Sequence, residues 1–258
     1  MAVPILWHLD ISHFNEKVRW ALDYKGVAHE RRSVFPGTQE LRARILRGGT
    51  STLPVIDIDR TRIGDSTRII EELERRWPNP ALYPADTGER EKALEIEEFF
   101  DEQCGHELRR VMFDQALRHP ELMAEAAGTD RRRGGSVVGF LFPVINRAIR
   151  FKYDVSPESA TAAREKVVAA LDRIERERGP SGYLVGDSFT VADLTAAAIL
   201  SPLVRPPEFP CHQVDPARDP EELKLWREPL EERPAWKYVL EMYARHRGTS
   251  ADVGAAAA

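Results

Sequence analysis

Pro78, Pro80 and Pro84 fall in one short stretch, and the chain changes character across it. Proline fixes its own backbone and cannot continue a helix, so residues 78–87 read as a linker. Before it, strand-length apolar runs alternate with helical periodicity. After it, strand signals nearly vanish. A chain divided in this way is expected to fold as a small α/β domain over residues 1–77 and an all-helical (all-α) domain over 88–248, with 249–258 as a disordered tail.

Within the first part, residues 3–9 form an apolar run of strand length. An amphipathic stretch follows, in which Phe14, Val18, Ala21 and Leu22 share a face opposite Lys17, Asp23 and Lys25. Gly26 ends it. Residues 29–35 read as a second strand, and residues 39–46 as a short polar helix closed by Gly48-Gly49. Residues 53–58 and 61–63 flank Asp59-Arg60, a tight hairpin. Ser66 is placed to cap a third helix that stops at Pro78. The order is βαβαββα. A helix between two strands favours a parallel pair, and the closing hairpin adds antiparallel strands.

In the second part, residues 89–118 read as one long amphipathic helix. Residues 124–135 read as a loop carrying Arg131–Arg133, and 137–153 as an apolar helix broken near Pro143. The 137–153 segment suits an acceptor pocket, an oligomer contact or the core. Residues 157–178 form another amphipathic helix. Residues 190–203 are almost wholly apolar and should be buried, headed by a Thr190/Asp193 capping box. A last helical region, 223–247, is notched by Pro229 and Pro234.

Composition narrows the function. With 37 basic and 42 acidic residues the net charge is −5, so no basic field points to nucleic acid or an anionic membrane. No run approaches the roughly 18 apolar residues of a membrane span. Met1-Ala2-Val3-Pro4 lacks the basic start and apolar stretch of a signal peptide, which makes the cytoplasm the expected location. Cys104 and Cys211 stand far apart, which argues against a disulfide framework or a cysteine-based zinc site, and the scattered histidines show no metal-ligand spacing. No metal is expected.

Three local motifs stand on this frame: residues 12–19 (Ser-His-Phe-Asn-Glu-Lys-Val-Arg) at the first strand-to-helix turn, Thr52-Leu53-Pro54-Val55 with Gly64-Asp65-Ser66, and residues 183–193 (Tyr-Leu-Val-Gly-Asp-Ser-Phe-Thr-Val-Ala-Asp) heading the buried helix. Together they resemble the glutathione S-transferase family, whose N-terminal domain is thioredoxin-like. The likeness runs from about residue 4 to residue 247. It implies glutathione, or a related low-molecular-weight thiol, as co-substrate.

The resemblance assigns roles residue by residue. Ser12 would contact the thiol sulfur from the N-terminus of the first helix, where free N–H groups and the helix dipole favour an anion. Lowering a thiol pKa from about 8.5 to about 6.5 takes roughly 2.7 kcal/mol, which is of the order of one charge-assisted hydrogen bond plus the dipole. Alternatively Ser12 is only the helix N-cap. Asn15 occupies the place where redox relatives carry a second cysteine, so disulfide exchange is excluded there. Its amide either donates to the sulfur or faces solvent. Pro54 matches the family's cis-proline, whose bend would let the Leu53 backbone pair with a peptide-like ligand. Asp65 and Ser66 match the pair that holds the γ-glutamyl group, with capping as the other reading of Ser66. Thr52 and the stretch before it depart from the common Lys and Asn-Pro of the family, leaving Gln39 or Arg42 for the glycyl carboxylate.

A second substrate would lie between the domains, against the long first helix of the helical one. Candidates are His13, Cys104, His106, Arg109 and Phe113. His13 as a turn residue and Cys104 as an inert buried thiol are the competing readings, and Phe99, Phe100 and Met112 read as core. The resemblance thus implies a homodimeric detoxification transferase that joins the thiol to a small-molecule electrophile. The alternatives are a thiol-dependent isomerase and a non-catalytic binding protein of the same fold.

Overall fold

The computed structural model describes residues 2–34, 38–46, 48–119, 121–122, 125, 143–144 and 146–254. The Arg131–Arg133 cluster, residues 137–142 and 145 of the 137–153 segment, and residues 255–258 lie outside the described residues.

The N-terminal domain runs β1 (Ile5–His8), α1 (His13–Tyr24), β2 (Glu30–Ser33), α2 (Gln39–Leu46), β3 (Val55–Ile58), β4 (Thr61–Gly64) and α3 (Ser66–Arg76). The sheet order is β2-β1-β3-β4. Strand β1 pairs parallel to β2, with Ile5 opposite Glu30, and antiparallel to β3, with Leu6 opposite Ile56. The hairpin turns at Asp59 and Arg60, both at positive φ (51° and 68°), the backbone a tight two-residue turn requires. The result is a thioredoxin-like α/β domain followed by an all-α domain.

The helical part begins with α4 (Thr87–Glu98), a π-helical segment at Phe99–Gly105 and α5 (His106–Arg118), which run on without a break. The single long helix of the sequence therefore carries a wide turn in its middle, a feature common at functional sites. Residues 146–153 are helical. Then come α6 (Pro157–Glu177), α7 (Val191–Val204), α8 (Glu221–Glu231) and α9 (Pro234–His246). Helix α7 is buried almost all round. Its capping box forms as the sequence indicates, Thr190 accepting from Ala192 N–H and Asp193 Oδ2 accepting from Thr190 N–H at 2.9 Å.

Two expectations change. Lys17, Asp23 and Lys25, read as the polar face of an amphipathic helix, are all buried. Helix α1 lies between the sheet and the helical domain, so its polar side also meets protein, through ion pairs that no periodicity reveals. The tail also differs. Residues 249–254 lie against β2, where Val253 N–H donates to His29 O at 2.8 Å and Arg31 N–H to Asp252 Oδ1 at 3.1 Å. Small polar residues carry no hydrophobic pattern, so this edge pairing has no sequence signal.

Candidate functional site

The site is built where β1 ends and α1 begins. Ser12 is the N-cap of α1, in extended backbone, but its side chain makes no capping bond. Asn15 Nδ2 instead donates to Ser12 Oγ at 2.7 Å and to the Leu53 carbonyl at 3.4 Å, while Asn15 Oδ1 accepts from Leu9 N–H at 3.0 Å. Both readings of Asn15 thus change. It is 1% exposed, so it does not face solvent, and its two amide hydrogens are engaged. Asn15 ties the first turn of α1 to the loop before β3. Ser12 receives a hydrogen bond and keeps its own hydroxyl hydrogen free of any acceptor among the described residues. That polarity suits donation to an anion.

The Leu53–Pro54 peptide is cis, as is Asn79–Pro80. Beside the first of these, the N-cap of α3 is Asp65, not Ser66. The Asp65 carboxylate accepts from Arg68 N–H at 3.2 Å, and Asp65 has φ 77°, a conformation that costs a non-glycine residue of order 1–3 kcal/mol and clusters at ligand sites. Ser66 is then the first residue of the helix. Its hydroxyl has no partner among the described residues, although the residue is 93% buried by difference from its 7% exposure. With Asp65 doing the capping, Ser66 is free for another role. The loop that carries Thr50 and Thr52 packs tightly on this corner. A Cβ on Gly64 would come 2.0 Å from Thr50 Cγ2, so only glycine fits there. Gln39 and Arg42 lie on α2, and Thr52 Oγ1 shares a hydrogen bond with Thr50 Oγ1 at 3.0 Å.

Across the domain boundary, α1 meets the π segment. A Cβ on Gly105 would sit 2.7 Å from Phe14 Cζ, so glycine allows the first turn of α1 its close approach. Around that contact gather His13, His106, Arg109 and Phe113. The Phe14 and His106 rings are 5.6 Å apart, Arg109 lies over Phe14 (5.9 Å) and over Tyr153 (4.6 Å), and Phe113 packs on Tyr153 at 5.0 Å. His13 is buried, not exposed as a turn histidine would be. Burial, and then the Arg109 charge, push its pKa down to about 3 against a bond to the Gly105 backbone, so the ring is neutral. Its Nε2 has no partner among the described residues.

Cys104 does not belong to this group. It is fully buried in the apolar core with Phe100 and Leu108, and burial pushes its thiol up, which leaves it inert. Phe99 and Met112 are partly buried against the same core.

Sequence reasoning missed Tyr153 as an individual cleft residue and gave Phe14 only a core face. Neither carries a local signal: Tyr153 arrives from 40 residues beyond Phe113 by tertiary folding. Among the described residues, no group of three or more His, Cys, Asp or Glu could hold a metal, and no helix is long and apolar enough to cross a membrane.

A thioredoxin-like domain with a cis-proline corner and a free hydroxyl at the first helix, closed by a helical domain, defines the class of the glutathione S-transferases. The chain belongs to that family. Its N-terminal-domain model matches residues 6–81 and its C-terminal-domain model residues 157–237. A maleylpyruvate isomerase of Ralstonia sp. is 26% identical over 201 residues, 66% of this chain and 92% of that protein. A glutathione S-transferase of Methylobacterium radiotolerans, solved with glutathione sulfonate, is similar over 93% of this chain and 95% of its own at 23% identity and TM-score 0.55. A theta class enzyme of Xanthomonas axonopodis pv. citri, solved with glutathione bound, covers 97% of this chain and 100% of its own at 20% identity and TM-score 0.58.

Proposed function

We propose that the protein binds glutathione, or a related low-molecular-weight thiol, at the Ser12–Leu53–Ser66 corner and transfers it to an electrophile in the interdomain cleft. The observation that carries this is the set of free donors at one corner. The Ser12 O–H, the Leu53 N–H and the Ser66 O–H have no acceptor among the described residues. In this reading Ser12 donates to the thiolate, Leu53 pairs with the cysteinyl unit, and Ser66 with Asp65 holds the γ-glutamyl group. Asn15 is a positioning residue, because it sets the direction of the Ser12 hydroxyl. The thiolate then attacks an electrophilic carbon, and the thiol proton leaves to solvent. Relatives solved with glutathione or its sulfonate support the ligand.

A thiol-dependent isomerase is the second reading, favoured by the maleylpyruvate isomerase relative. It uses the same thiol corner. A cytoplasmic homodimer belongs to either reading, and light scattering after size exclusion tests the assembly.

The test is thermal unfolding with and without reduced glutathione. Ligand at about 100 times its dissociation constant adds about 2.7 kcal/mol, a midpoint rise of roughly 5–10 °C for a chain of this size. Ser66→Ala should abolish most of the rise. No rise for the wild type at saturating thiol would refute the reading.

A further inference from the structure

Arg109 and Arg110 are consecutive on α5, both partly buried, yet they are treated differently. Arg110 pairs with Glu107, approaches Asp154 at 3.8 Å and donates to the Tyr153 carbonyl at 3.3 Å. Arg109 has no carboxylate within ion-pair distance among the described residues, and its Nε is buried without a hydrogen-bond partner. On the same helix Glu107 is already taken by Arg110 and Lys166, and Glu40 is paired with Lys152. The other side chains that face Arg109 are His13, His106, Phe14 and Tyr153, none of them a carboxylate.

A guanidinium held out of water without a counter-charge is costly. Two aromatic rings at 5.9 and 4.6 Å offset part of that cost. They also hold the side chain in place and leave its buried Nε without a partner among the described residues. One of those rings is Phe14, two residues from Ser12, so the free cation stands in the cleft beside the thiol corner. A second orphan, His13 Nε2, lies in the same contact.

We infer that Arg109 is the receptor for a carboxylate on the acceptor substrate, so that the cleft takes anionic, conjugated electrophiles in preference to neutral ones. This rests on the thiol-transfer reading for its chemistry but not for its binding. A planar carboxylate matches the forked donors of a guanidinium, and the aromatic rings beside Arg109 suit an unsaturated carbon skeleton. In the reaction the thiolate sulfur bonds to one carbon of the acceptor's double bond. The electron pair of that double bond moves onto the conjugated carbonyl oxygen as an enolate, and a proton from water then returns to carbon.

The experiment has two arms. The first omits thiol and measures, by calorimetry, binding of the unreactive acid 4-oxo-4-phenylbutanoate and of its methyl ester. The wild type should bind the acid at least about tenfold more tightly than the ester, Arg109→Met should lose that preference, and Arg109→Lys should keep part of it. Equal affinity of the wild type for acid and ester overturns the inference, whatever the fate of the variants. Acid binding that survives in Arg109→Met also overturns it. The second arm adds glutathione and the unsaturated analogue 3-benzoylacrylate or its ester, after subtraction of the uncatalysed rate. The wild type should favour the acid in kcat/KM by about tenfold or more, and Arg109→Met should lower the acid rate by more than the ester rate, so that the preference is lost. Transfer that favours the ester sinks the inference and leaves the transferase reading intact. Tight, Arg109-dependent binding of the acid with no transfer does the reverse.

Discussion

The two ends of α1 are both buried, but their polar groups meet different fates. From Glu16 onward the charges are paired across the molecule. Lys17 Nζ reaches Glu97 at 2.7 Å and Asp101 at 2.5 Å, Arg19 reaches Glu16 at 2.8 Å, and Lys25 reaches Glu74 at 2.6 Å. Arg247, beyond the last helix, reaches Glu16 at 2.7 Å and Asp23 at 2.6 Å. At the first turn the pattern reverses. Among the described residues the Ser12 hydroxyl hydrogen, His13 Nε2 and, across the domain boundary, Arg109 Nε are left without a partner. Folding has satisfied the structural half of the helix and left the other half for something that is not part of the chain. Single leftover atoms also occur in the paired half, such as Arg247 Nη2 and Asp101 Oδ1, but there each side chain is otherwise held.

The contrast is broken most strongly by removing a paired cation. Lys17→Met leaves Glu97 and Asp101 buried together without their counter-charge, a loss of about 3–5 kcal/mol in unfolding free energy by chemical denaturation. Arg109→Met removes an unpaired cation and should leave stability unchanged or slightly raised. Equal losses for the two variants would erase the distinction.

Acid sharpens the contrast next. The His13 pKa falls from an ordinary 6.5 to about 3 in the folded protein, from burial first and then the Arg109 charge. The unfolded chain therefore binds the extra proton below about pH 6.5 and the folded chain does not. His13 contributes full stability above 6.5, and that contribution declines as pH drops toward 3. His8, lowered to about 2 by burial and then by Arg19, acts in the same sense. Replacing His13 with Gln should shallow the dependence of unfolding free energy on pH by about one proton, or about 1.4 kcal/mol per pH unit, between 4 and 6. An unchanged slope would mean that His13 titrates normally and is hydrated.

Asn15→Ala has a smaller effect on stability. It leaves Leu9 N–H without its acceptor, at a cost of about 1–3 kcal/mol, and frees the Ser12 hydroxyl to turn. Thiol transfer should fall by more than the loss of folded protein explains, as activity measured well below the unfolding midpoint would show. Activity that tracks only the folded fraction would make Asn15 a purely structural residue.

How much of this was written in the sequence differs between the same two regions. The βαβαββα order, the capping box at Thr190 and Asp193, and the buried α7 follow from periodicity and caps, and the structure has them. The Ser12, Pro54 and Ser66 corner was legible only because its motifs resemble a family. That Asp65 and not Ser66 caps α3 depends on a backbone angle, which a residue string does not display. The burial of Lys17, Asp23 and Lys25 was hidden for a related reason. A charged residue looks solvated until its partner arrives from 80 or 224 positions away, as Glu97 and Arg247 do. Tyr153 and Phe14 come to flank Arg109 in the same way, through contacts between domains.

The account turns on Ser12, which it makes a ligand donor and not a helix cap. The direct measurement is Ser12→Ala, read twice: unfolding free energy without ligand, and the ultraviolet thiolate absorbance of bound glutathione as pH is varied. The Ser12 side chain makes no capping bond, but its Oγ accepts from the buried Asn15 Nδ2, so stability should fall by about 1 kcal/mol from that unmet donor. The pKa of the bound thiol should rise by about one to two units toward 8.5. A thiolate titration that does not move, whatever the change in stability, would contradict it.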